Sequence, residues 1–408
     1  MSPTVSSVHV RGILDSRAEP TVEAEVGLES GASGRGSSPR AIAPGRRERR
    51  GRERRALGAG AGLPPLPDLE GQEFPTQAAF DAALAELPGP LLGKDVTLAL
   101  SLGFCRATCV ELARPLHEHL AELAGSRLAV PHPLVNVFSG GIHVDRDARS
   151  FQQIMVAPEG ASLADDLDVA LRAYAAVERR LREHGAPVSL SASSGFVVRD
   201  GSDADLLEEL RATLEDEGFE DVGAGVDVAA EHLATGKGAY RLGGREVTGG
   251  ELLEHLVQLA SAFGLVYVED PFAPEDRDLW RELTSRLGDD VLVVGDDLFV
   301  TSAAYVDARI ANAILLKPSQ AGTVTATLET ARTAAQAGLE LCVSHRSGET
   351  EDVAVCDLAV ALGARYVKVG GPRRGDRVAK FNQLIRLAET VEARGCREPL
   401  HQHATTGA

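Results

Sequence analysis

Apolar and polar residues alternate along residues 8–29, most regularly over Thr21-Val22-Glu23-Ala24-Glu25-Val26. A period of two predicts strands, with turn signals at Glu19-Pro20 and Ser30-Gly31. Residues 31–62 are rich in Gly, Ser, Pro and Arg and predict a long loop, followed by a proline-rich connector at 63–67. Helical spacing appears at 77–86 and again at 98–123. Residues 1–130 thus read as a small α+β domain carrying an Arg-rich loop at 40–62.

Beyond residue 130 the pattern changes. Amphipathic helical stretches at 203–217, 251–263, 277–287, 323–337 and 352–362 alternate with short apolar runs at 265–268, 291–294, 313–316, 339–343 and 366–369. Alternating strand and helix predicts a parallel sheet, and the number of units fits a closed barrel over residues 131–408.

The ends of the apolar runs carry the chemistry. Val226 is followed by Asp227, Val268 by Glu269-Asp270, and Val294-Gly295 by Asp296-Asp297. Leu316 is followed by Lys317, Val343-Ser344 by His345-Arg346, and Val367 by Lys368. In a parallel barrel the carboxyl ends of all strands meet on one face, where catalytic groups gather. Solvation alone would place two or three charges there. Six successive runs ending in ionisable groups of both signs point to a site.

Asp227, Glu269 and Asp296 would bring three carboxylates together, and such a cluster needs a cation. Oxygen donors without Cys or His point to Mg²⁺. Lys317 and Lys368 would face it from later strands. A lysine near other cations has a lowered pKa and can act as a base, which suggests removal of a proton next to a carboxylate. Taken singly, either lysine reads as a salt bridge. The polar turn His345-Arg346-Ser347-Gly348 leads into a helix and suits a phosphate.

Composition narrows the picture. A formal net charge of −18 argues against general nucleic-acid binding. Against that background, seven arginines fall within residues 46–55, either a solvated loop or an anion-binding lid. Cys105, Cys109, Cys342, Cys356 and Cys396 form no disulfide framework. Cys105 and Cys109 lie one helical turn apart, but no second Cys/His pair follows at zinc-finger spacing, so reduced thiols in a cytoplasmic protein are expected. No secretory signal and no membrane-spanning run is expected.

The chain resembles the enolase (phosphopyruvate hydratase) family over nearly its whole length. Leu14-Asp15-Ser16-Arg17 with Pro20-Thr21-Val22-Glu23 resembles the family's opening. Val268-Glu269-Asp270-Pro271-Phe272, Val294-Gly295-Asp296-Asp297-Leu298, the octapeptide-length motif beginning at Ser344-His345-Arg346-Ser347, and Ala379-Lys380-Phe381-Asn382 resemble its later motifs. The resemblance implies an enolase-type TIM barrel preceded by a small α+β domain, assembled as a homodimer. It implies Mg²⁺ on Asp227, Glu269 and Asp296, with Lys317 as the base. A basic residue beside Mg²⁺ that stabilises an ene-diolate characterises that superfamily, so this step comes with the resemblance and not from spacing. Lys368 would contact the substrate carboxylate and Arg346 and Ser347 its phosphate, with His345 and His143 lining the pocket.

The departures fall in one half of that site. The family's Asp-Glu-Gly-Gly-Phe appears as Ala192-Ser193-Ser194-Gly195-Phe196, and its Gln-Glu-Phe-Met as Gln152-Gln153-Ile154-Met155. Two glutamates are thereby replaced, by Ser193 and Gln153, and Ala43 stands in place of a loop serine that helps bind a second Mg²⁺. Glu159 and Asp147 are the candidates to take over as acid. The preferred expectation is a specialised enzyme acting on a small phosphorylated three-carbon acid with a nucleotide-activated phosphonate as second substrate, as in carboxyphosphonoenolpyruvate synthase. A working phosphopyruvate hydratase is the alternative, and a catalytically silent scaffold the third.

Overall fold

The computed structural model describes residues 2–41, 45–49, 60–61, 66, 68–87, 93–144, 151–185, 187–198, 201–288 and 290–392. Ala43, Asp147, Cys396, residues 50–55 of the arginine run and the tail after 392 lie outside the described residues.

The amino-terminal alternation forms β1 (Val5–Leu14) and β2 (Pro20–Leu28), which pair antiparallel. A third strand, β3 (Ser33–Ser38), extends this sheet, where the sequence predicted only loop. Its residues, Ser-Gly-Arg-Gly-Ser-Ser, carry no strand propensity. They are there because helix α3 lies against the strand with its backbone. A Cβ at Gly34 would come within 2.3 Å of Ala107 N and Gly103 O, and one at Gly36 within 2.5 Å of Ala99 O. Close approach excludes side chains at those positions.

The helices of this layer are α1 (Arg46–Arg49), α2 (Gln77–Glu86), α3 (Lys94–Glu111) and α4 (Leu116–Ala124). The single helix expected over 98–123 is two helices. Leu112 caps the first, Ala113 takes φ +49° and Pro115 caps the second at φ −60°, so the axis turns by 108°. Proline ends the helix because it lacks the N–H and crowds the preceding turn.

Residues from β4 (His132–Ser139) onward build a closed barrel. Its strands are β4, β5 (Gln153–Ala157), β7 (Gly223–Asp227), β11 (Leu265–Glu269), β12 (Leu292–Gly295), β13 (Ala313–Leu316), β14 (Glu340–Ser344) and β15 (Tyr366–Gly370). Pairing of β15 with β4 closes the ring of eight. Strand β6 (Phe196–Val197) adds to the outside of β4, and β8 (Ala234–Gly236), β9 (Ala239–Leu242) and β10 (Arg245–Thr248) form a separate antiparallel excursion. The surrounding helices are α5 (Leu163–Glu183), α6 (Asp203–Asp216), α7 (Ala230–Leu233), α8 (Gly249–Phe263), α9 (Arg277–Leu287), α10 (Pro318–Ala321), α11 (Val324–Gln336), α12 (Ala354–Ala361) and α13 (Gly375–Glu392). Capping boxes at Ser202/Asp205 and Thr248/Glu251 start α6 and α8.

One strand departs from the parallel sheet expected. β5 runs antiparallel to both β4 and β7. Its first residue, not its last, therefore reaches the face where the other strands end.

Two apolar cores meet across α3. Val96, Ala99, Leu100, Phe104 and Ala107 pack with the small sheet, whereas Leu98, Leu102 and Cys105 belong to the core between barrel and helices. A third cluster fills the barrel itself, with Leu134, Met155, Tyr267, Leu292, Val294, Ala313, Leu315, Cys342 and Tyr366 facing inward. Among the described residues no single helix is long and apolar enough to cross a membrane.

Candidate active site

Side chains alternate across a strand, so the residue two positions beyond an inward-facing one also faces inward. Tyr267 predicts Glu269, Val294 predicts Asp296, Leu315 predicts Lys317 and Tyr366 predicts Lys368. Gly225 abuts Tyr267 and Met155, which places Asp227 with them. On reversed β5 the count runs backwards, from Met155 to Gln153. The apolar interior thus ends in a ring of polar groups at one rim.

A polar cleft opens there, lined by Gln153, Ser193, Asp227, Asp296, Lys317, His345, Arg346, Ser347 and Lys368. Glu269 lies beneath it, 1% exposed, and joins through Lys368. Lys368 Nζ donates to Asp227 Oδ2 at 2.8 Å and to Glu269 Oε2 at 2.7 Å. Lys317 donates to Asp296, whose other oxygen accepts from Gln320 Nε2 at 3.0 Å. His143 ends a 3₁₀ turn, Gly141–His143, after β4; its side chain lies outside the described residues.

Five carboxylates crowd this rim: Asp227, Glu269, Asp270, Asp296 and Asp297, all at least nine-tenths buried. Burial, followed by repulsion from Asp227, pushes Glu269 up to about 7. Burial and the neighbouring acids also push Asp270 and Asp297 well above the carboxylate range. Asp296 is lowered, because Lys317 outweighs the effect of burial. The rim is short of positive charge, and every surplus donor is a hard oxygen. That donor set fits Mg²⁺. Carboxylate oxygens of Asp270, Asp296 and Asp297 also lie within 4.8 Å of one another, a grouping that the run-end pattern does not single out.

The lysines correct an expectation. Burial would lower both, but carboxylates outweigh it, Asp296 and Glu269 for Lys317 and Asp227 and Glu269 for Lys368, and both pKa values rise. Lys317 becomes a base only when the charge of Asp296 is satisfied elsewhere. His345 behaves differently: burial, then Arg377, hold its pKa well below the usual range, so the ring is neutral. A guanidinium only donates, so the contact of Arg377 with His345 Nδ1 leaves the ring proton on Nε2.

Arg346 is held by a residue that sequence reasoning missed. Both oxygens of Glu48, in the arginine run, accept from its Nη2 at 2.9 Å, and Ser319 Oγ lies 3.2 Å from Nη1. The described part of that run docks on the rim by further contacts. Arg46 pairs with Glu231 at 3.0 Å and Arg47 stacks on Tyr305 at 4.8 Å. Gly45 presses so closely on Asp297 that a Cβ would lie 2.2 Å from its Oδ1.

Gln153 and Ser193 are 3% and 1% exposed, and Gln153 Oε1 and Ser193 Oγ have no hydrogen-bond partner among the described residues. Glu159, one of the two stand-in acids considered, is at the opposite end. It follows the last residue of reversed β5 and binds Tyr366 and Arg365 at the start of β15. It cannot serve this cleft.

A family model described as "Enolase, C-terminal TIM barrel domain" matches residues 127–400. An enolase of Acidothermus cellulolyticus is 35% identical over 410 residues, covering 95% of each chain. This chain belongs to the enolase family. An enolase of Tropheryma whipplei is 34% identical over 412 residues, again with 95% of each chain covered. The enolase-type fold expected from the sequence motifs is therefore the fold found, and the family supports an enolase-superfamily lyase.

Proposed function

We propose that this chain is a Mg²⁺-dependent enzyme acting on a phosphorylated three-carbon acid of the 2-phosphoglycerate or phosphoenolpyruvate type, and that from 2-phosphoglycerate, which carries one, it removes the C2 proton. One observation carries the reading: two lysines with opposed carboxylate partners, a neutral histidine and a buried arginine line a single cleft. Asp227, Glu269 and Asp296 would hold Mg²⁺, which when bound supplies positive charge to the substrate carboxylate. Lys317 takes the proton once Asp296 no longer holds it charged. Lys368 donates to the carboxylate as negative charge builds there. Arg346 and Ser347 hold the phosphate, which displaces Glu48 from Arg346. His345 offers its Nε2–H to the substrate, and His143 is kept as a pocket residue on the family resemblance alone.

The elimination half is changed. Gln153 and Ser193 stand where the family motifs carry glutamates, and neither donates a proton near neutral pH as a carboxylic acid does. Loss of a positioned acid costs about 10² to 10⁴ in rate. The second reading, a working phosphopyruvate hydratase, is favoured by the relatives, both of them enolases.

Proton NMR of 2-phosphoglycerate with the protein and Mg²⁺ in heavy water separates the two. Deuterium at C2 without phosphoenolpyruvate supports an intact base and a lost acid step, and directs the search to a second substrate such as a nucleotide-activated phosphonate. Rapid phosphoenolpyruvate formation supports the hydratase. If the C2 proton stays in place and no product forms, the proposal fails. Replacing Lys317 by Ala should abolish exchange in either case.

A further inference from the structure

Cys105 and Cys109 occupy the same face of α3, one turn apart. The corner at Pro115 folds α4 back so that a ring nitrogen of His119 and both sulfurs lie within 4.8 Å of one another. All three residues are buried, at 0%, 6% and 7% exposure. The His119 Nδ1 has no hydrogen-bond partner among the described residues. A buried polar atom left this way costs about 1–3 kcal/mol, so its partner is missing rather than unneeded.

We propose that Cys105, Cys109 and His119 form a binding site for a thiophilic metal ion, Zn²⁺, separate from the acidic rim. Two sulfurs and an imidazole are the donor set Zn²⁺ takes. Ligand atoms around a tetrahedral ion lie about 3.5–4 Å apart, which small rotamer changes reach from the observed spacing. The surroundings favour the ligating form of two of the three groups. Burial, then Arg114, keep His119 neutral, and a hydrogen bond from Cys105 lowers Cys109, with Arg106 and Arg114 adding positive charge. Cys105 goes the other way: its hydrogen bond to Cys109, then burial, raise its thiol well above the usual range, so the ion itself is needed to hold both sulfurs deprotonated. The bound ion would fasten α3, which packs on the small sheet, to α4, which packs on α12.

The test is titration of the reduced full-length protein with Co²⁺ in saturating Mg²⁺, which occupies oxygen-only sites. The proposal expects one equivalent of Co²⁺ to give a near-ultraviolet sulfur-to-cobalt charge-transfer band, erased by Zn²⁺. The band should persist in Cys356→Ser, vanish in Cys105→Ser/Cys109→Ser, and require at least about tenfold more Co²⁺ in His119→Asn. Absence of the band in the unaltered protein overturns the proposal without recourse to any variant. Its survival in the folded double variant, checked by near-ultraviolet circular dichroism, overturns it as well.

Discussion

Gln153 and Ser193 line the cleft, and each holds a buried oxygen with no partner among the described residues. If the missing carboxylic acid limits dehydration, Ser193→Glu combined with Gln153→Glu should raise phosphoenolpyruvate formation, by up to about 10²–10⁴. An unchanged rate in a coupled absorbance assay would count against that. Away from the cleft, Asp203 accepts from Phe151 N at 3.0 Å, yet burial pushes it up to about 7. Its folded pKa exceeds the unfolded value, so the native state binds the extra proton between about pH 4 and 7 and loses stability as pH rises through that window. Asp203→Asn should therefore gain stability relative to the parent from pH 5 to 8, by at most about 3 kcal/mol, in urea melts at the two pH values. Most rim residues could be read from the sequence because packing alone rarely sets an acid or lysine directly after a β-branched run. Glu48 could not be read, since neither of the two acids among seven arginines carries a signal of what it faces.

The segment Arg46–Arg49 acts through its one carboxylate rather than its arginines. Glu48 occupies the Arg346 guanidinium that a phosphate would need. Glu48→Gln should weaken that contact and tighten binding of inorganic phosphate several-fold by calorimetry; weaker binding would show that Glu48 supports the anion site instead. At β3, local composition gives a misleading answer, because glycines chosen for contact with α3 look like loop. Strand direction is also invisible to a hydrophobic pattern, and a reversed β5 reads the same as a parallel one. The turn at Pro115 was visible as a proline, but its effect, bringing His119 to Cys105 and Cys109, depends on the angle between two helices.

Across the whole molecule, the loop after β14 is tied to α3 by a bidentate pair, Arg106 to Asp352, with both contacts at 2.6 Å, and to the small sheet by Ser37 N, which donates to Asp352 at 3.1 Å. Burial would raise Asp352, but Arg106 prevails and holds it at about 2. That contribution is present above about pH 4 and is lost as pH falls toward 2. Removing one partner of this half-buried pair, as in Arg106→Ala, should cost about 1.5–3 kcal/mol in denaturant unfolding. Mg²⁺ should raise the melting temperature, with about 2.7 kcal/mol gained at a hundredfold excess over Kd. A silent scaffold would show no shift. The division of labour between the two cores has a further consequence for recombination. Because successive residues of α3 serve opposite sides, a gene segment beginning where the family match begins, at residue 127, would leave its barrel with a bare apolar flank. Such a fragment should aggregate on expression, and chimaeras with relatives should survive only when α3 and α4 travel together with the barrel helices they touch.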